Sequence, residues 1–253
     1  DLLDAGYGVK KLLDCGFTPR QLLDAGVTLA QLRAAGVDIS SLLADGISPA
    51  DLIRNGYCAD GVLKGVSDLS TLRSSGVDAG DLFDSGASVN QLINFGYSAR
   101  EILSAGASVS LMLANGIDPA DIRDAGVSKK EISFAQKNLS QVKGGVCTAS
   151  YAASQNNAGV QVSVLLPLGC SPRVLQEVGY PALDLVREGV SAGRLRAAGY
   201  TASDLVSAGV SLNELVKACY SIESLISAGF SPDQLNKAGI SVAALLSAGI
   251  SPS

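Results

Sequence analysis

The chain has 253 residues and a net charge of −5; 47% of it is apolar, only 5% is aromatic, and there is no histidine. An acidic chain with no basic stripe is not expected to bind nucleic acid, and no apolar run is long enough to cross a bilayer. Without histidine the commonest general base and a favoured metal ligand are missing, and the five cysteines show no C-x-x-C spacing for zinc.

The chain opens on "DLLDAGYG", which reads as the interior of a helix stopped at Gly6. From there glycine recurs every ten residues, at 16, 26, 36, 46 and 56 and again from 76 to 126; only position 66 lacks it, where Gly65 arrives one residue early. Each glycine is followed by an apolar residue (Phe17, Val27, Val37, Ile47, Tyr57) and then by Ser, Thr or Asp in most units. That polar residue suits a helix N-cap, and a Gln, Glu or Asp three places on completes a capping box in units such as "TPRQLLDAG" and "SAREILSAG". Pro19, Pro49 and Pro119 sit directly after the cap, where a missing N–H costs nothing. A Leu, Ile or Met follows the box, at 12, 22, 32, 42, 52, 72, 82, 92, 102, 112 and 122, and glycine ends the helix as a left-handed residue.

The pattern therefore predicts an all-α solenoid of very short helices, about two turns each, with a ten-residue period and every helix Ser/Thr/Asp-capped and Gly-terminated. A helix of about seven residues is too short to stand alone in water. Stacking must bury what one unit cannot, and the Leu row is the expected core, with the apolar row after glycine next. Most aromatics, among them Tyr7, Phe17, Tyr57, Tyr97, Tyr180, Tyr200, Tyr220 and Phe230, occupy that second row and are expected in the core. A competing pattern exists, because apolar residues also recur every five positions, as in a pentapeptide β-solenoid. Proline after serine and glycine in alternate five-residue segments would interrupt β ladders, which favours the helical reading.

Residues 1–126 form the first regular stretch, and residues 127–158 are irregular. There Gln136 replaces glycine, and "VCTASYAASQNNAGV" makes one longer unit. Asn138-Leu139-Ser140 is a candidate N-glycosylation sequon that coincides with an expected helix cap. Cys147 and Cys170 bracket the odd stretch and are a candidate disulfide, while Cys15, Cys58 and Cys219 are read as buried thiols in repeat slots. Residues 159–253 resume the beat with the register shifted by three, and Cys219 fills the one vacant glycine slot. The closing "AGISPS" supplies a cap and proline that would continue in register into "DLLDAG", so the segment is expected to belong to a longer array or to join copies of itself end to end.

Units such as "AGVSLNEL", "AGFSPDQL" and "AGYTASDL" resemble the decapeptide tandem arrays of protists, algae and some bacteria. The resemblance spans nearly the whole chain and carries over no functional residue. No nucleophile–base pair, phosphate loop or metal cluster is visible, so the expectation is a non-enzyme with no catalytic, cofactor or metal site. The expected role is structural, as a rod or filament backbone that self-associates end to end or laterally, extracellular or at the cell surface. The alternative is a scaffold whose solenoid face binds other proteins or glycans.

Overall fold

The computed structural model describes residues 8–66, 71–141 and 147–250, and among these every regular element is an α-helix. That removes the β-solenoid alternative. Most helices span six residues, as in Pro19–Asp24 and Leu212–Lys217. At the start of Pro19–Asp24 the Thr18 hydroxyl accepts from the Gln21 N–H at 3.2 Å, and Gln21 Oε1 accepts from the Thr18 N–H at 2.9 Å. Asp38, Asp78 and Asp118 cap differently, each accepting from the second helical N–H. Either way a donor left open by the helix start is satisfied.

The helix stop is equally regular and is well seen after Ile222–Ser227. Gly229 takes φ 98°, its N–H reaches the Ile226 carbonyl at 2.9 Å, and the Phe230 N–H returns to the Leu225 carbonyl at 3.2 Å. This is a Schellman turn. The residue after glycine thus contacts the helix behind it while leading into the cap of the next one.

One coil of the solenoid takes two decapeptides. Helices along the chain pack against the helix two units away: Val9–Asp14 on Leu29–Ala34, Ala79–Asp84 on Ala99–Ser104, Pro172–Glu177 on Ala192–Ala198, and Ala182–Arg187 on Ala202–Ser207. Hydrogen bonds between coils keep the same step. The Tyr200 hydroxyl donates to the Tyr180 carbonyl at 2.7 Å, and the Tyr180 hydroxyl to the Val160 carbonyl at 2.8 Å. Burial pushes the Tyr200 phenol up to about 12, with the Asp204 and Asp184 carboxylates acting in the same direction. Arginines extend the pattern on other coils: Arg54 donates to the Gly76 carbonyl at 3.0 Å and Arg100 to the Asp124 carbonyl at 2.7 Å. Each ties a guanidinium to carbonyls at a helix C-terminus, where a cation is favoured.

Between the helices lies a core of one Leu-type residue per unit. Leu32, Leu42, Leu52, Leu72, Leu82, Leu92, Ile102, Met112 and Ile122 are fully buried, and Leu175, Leu185, Leu195, Leu205, Leu215, Leu225 and Leu235 continue the row. The neighbouring row (Leu13, Leu23, Leu43, Ile53) is half-buried against that core, a second layer of it. Asp14, Asp24, Ala34, Ala44 and Arg54 face solvent. Among the aromatics, Tyr57, Tyr97, Tyr180 and Tyr200 are buried as expected. Phe17 is not, at 39% exposure, and Tyr220 and Phe230 are half-buried. Tyr7 lies outside the described residues, as do Asp1 and Ser253, on which the end-to-end join turns.

The described residues up to Val77, with those from Cys219 onward, form one compact unit, and Asp78–Ala218 form a second. The second contains the irregular stretch. There Lys129–Gln141 is a single helix of 13 residues, because no left-handed residue stands at Gln136 to stop it. Ile132, Ala135 and Leu139 give it a buried stripe at helical spacing. Ala149–Asn157, capped by Thr148, is the longer unit that follows.

Two substitutions separate core from backbone contributions. Leu42→Ala should lower stability by about 2–5 kcal/mol, the cost of a cavity in a packed core. Gly229→Ala meets no atom within 4 Å of the added Cβ, so it should cost about 1–2 kcal/mol through the left-handed backbone alone. Guanidinium denaturation of each variant measures both.

Candidate functional site

The feature that departs most from the repeat is a lateral seam inside the Asp78–Ala218 unit. Ala79–Asp84 packs on Ala192–Ala198, far away in sequence. The contact pairs Asp84 with Gly193, while Ser110 lies beside Gly169, so the two runs of coils pass each other antiparallel. A Cβ added at Gly193 would fall on the Asp84 carbonyl and lie 3.1 Å from the Ser85 Cα. Gly86 is similarly occluded by Ala197. Backbone therefore meets backbone, which only small residues permit.

Polar groups complete the seam. Ser191 sits in a cap slot but makes no cap bond; its hydroxyl donates instead to the Asp84 carbonyl at 3.1 Å. Arg194 occupies the capping-box slot that holds Gln, Glu or Asp in many units, and its guanidinium lies 4.2 Å from the centre of the Phe83 ring. Burial pulls the Arg194 guanidinium down from its ordinary value, and the Asp84 carboxylate opposes that. Phe83 itself is buried, in a row that is half-buried or exposed in the other units. Beside this contact a cavity of about 570 Å³ is lined by Asn90, Asn115, Cys147, Ser171, Arg173 and Arg194, among others. Its chemistry is mixed: two guanidiniums and two amides over an apolar floor, with Arg173 already paired to Glu177 at 3.2 Å. Sequence reasoning missed the seam. Three signals were present: a glycine inside a helix body at 193, an arginine in an acid or amide slot at 194, and an aromatic at 83.

The residues singled out from sequence fall as follows. Asn138 lies inside Lys129–Gln141 and not at a cap, since the helix runs through the missing glycine. It is half-buried, and the Ser140 hydroxyl of its sequon donates to the Lys137 carbonyl at 2.6 Å. Cys147 and Cys170 are joined as a disulfide with Cα atoms 4.8 Å apart, and both are buried. Each directly precedes a helix cap, one coil apart, in the slots that stack in the tyrosine ladder. Cys58 and Cys219 are not thiols; they form a second disulfide with Cα atoms 5.9 Å apart. Nothing local announces a bond spanning 161 residues. Cys15 is a free thiol and is exposed, not buried, because its slot before the glycine faces outward in this coil. Among the described residues no group of three or more His, Cys, Asp or Glu is placed to hold a metal ion, and no helix is long and apolar enough to cross a membrane.

Residues 189–253 match the family model described as a decapeptide repeat region. No curated protein and no solved structure matches the chain.

If the seam rests on backbone contact, Gly193→Ala should open it. Amide hydrogen exchange should accelerate in Ala79–Asp84 and Ala192–Ala198 together, while Gly159→Ala, which meets no neighbour within 4 Å, should leave both helices protected.

Proposed function

We propose that this decapeptide-repeat chain is a non-enzymatic structural protein, the backbone of an assembly that grows by adding coils of the same kind. The observation that carries the reading is the stacking face. Each coil binds the next through the same slots: the buried Leu row runs from coil to coil, and bonds such as the Tyr200 hydroxyl to the Tyr180 carbonyl and Arg54 to the Gly76 carbonyl join neighbours. Apolar side chains in a stacking slot are stabilised by a further coil, whose burial contributes roughly 25 cal/mol per Å². Much of the polar chemistry is already engaged: hydroxyls such as those of Thr18 and Ser211 cap helix starts, and Tyr180, Tyr200, Arg54 and Arg100 donate to carbonyls one coil away. Two disulfides are consistent with an oxidising compartment, which supports a secreted or surface setting.

A second reading has its own support. The cavity beside the seam, with Arg173 and Arg194 at its wall, suits a scaffold that receives an acidic segment of another protein.

Sedimentation and electron microscopy over a wide concentration range separate the two. The structural reading expects assemblies that lengthen or pair as concentration rises. A species that stays at 25.7 kDa at every concentration would remove self-association and leave the scaffold in front.

A further inference from the structure

We infer that the Cys58–Cys219 disulfide is a redox-sensitive clasp, opened by thiol reductants before the Cys147–Cys170 bond and able to release the two segments it joins.

The first support is that both cysteines work against their own repeat slots. Cys58 stands at the N-cap of Ala59–Gly65 and makes no side-chain cap bond, where most units place Ser, Thr or Asp. Cys219 stands where the repeat has glycine and adopts φ 63°, the one non-glycine with positive φ among the described residues. Serine at 58 and glycine at 219 would serve the two local helices better. What the cysteines supply is obtained only as a pair.

Access is the second support. Cys58 and Cys219 are half-buried, so a thiolate can reach their bond. Cys147 and Cys170 are 5% and 2% exposed, sealed between coils. Thiol–disulfide exchange requires approach to a sulfur, and access sets which bond yields first.

Loop length is the third. The clasp closes 161 residues and the buried bond closes 23. Constraint on the unfolded chain grows with loop length, so losing the clasp removes the larger share of it. Cys58 and Cys219 lie in the same compact unit but in its two separate chain segments, one ending at Val77 and the other starting at Cys219. Reduction converts the bond and one dithiol reductant into two cysteine thiols and the reductant's cyclic disulfide; two electrons and two protons pass from the reductant to the cysteines. Closure is the reverse, with a low-molecular-weight disulfide taking the two electrons and protons and leaving as two thiols.

The test titrates oxidised full-length protein with dithiothreitol, alkylates at each point, maps the cysteines by mass spectrometry and follows amide exchange. Cys15 should be alkylated throughout. Cys58 and Cys219 should become alkylated together at a lower reductant level than Cys147 and Cys170. At that level exchange in Ile222–Ser227 and Pro232–Lys237 should accelerate by ~10-fold or more. The Cys58→Ser/Cys219→Gly variant, which restores the repeat pattern in both slots, should show the fast exchange without reductant and no further change at that level. The inference is overturned if Cys147–Cys170 opens first, if opening the clasp leaves those helices' exchange unchanged, or if the double variant is as protected as the oxidised protein.

Discussion

The left-handed turn at the end of each helix dictates the rest of the architecture. It halts the helix after six residues in most units, too few to be stable in water, and it brings the next apolar residue back onto the helix just completed. A unit stopped this early buries one leucine well and little else. It can persist only if neighbours cover it, so the chain must stack. Leu225 and Phe230 show the economy of the device: their backbone bond at 3.2 Å closes one helix while setting the entry to the next.

Stacking then acquires its own specificity. Because one coil takes two decapeptides, the contacts that stabilise a helix come from the unit twenty residues away. The tyrosine hydroxyls at 180 and 200 and the arginines at 54 and 100 span that step. The Cys147–Cys170 bond spans it covalently, lengthened by the three extra residues of the irregular stretch. Lateral pairing at Asp84 and Gly193 is a second order of contact, made where side chains shrink enough for two runs of coils to touch. Units that break the pattern, around 83–86 and 191–197, are spent on this pairing.

Most of the local structure is legible in the sequence because every level points the same way. The caps at Thr18, Ser88 and Ser211, the buried Leu row and the glycine stops each follow from one residue and its near neighbours. The two-unit coil is not legible, since both helices of a coil carry the same local signals and the period in sequence is ten. Asn138 was misplaced for a related reason: without a left-handed residue at Gln136, the cap signal nearby loses to helix propagation. Long-range pairs such as Cys58 with Cys219 depend on where distant segments meet, which no periodicity encodes.

The two-unit coil is the claim on which the stacking, the ladders and the seam all rest, and paired cysteines test it directly. In a Cys15→Ser background, Val190→Cys with Val210→Cys places thiols in equivalent slots one coil apart. Val190→Cys with Tyr200→Cys places them one decapeptide apart, on opposite sides of the coil. Under mild oxidation the account predicts a rapid cross-link for the 190/210 pair and none for the 190/200 pair. Cross-linking of the 190/200 pair in preference would contradict it and return the repeat to a one-unit coil.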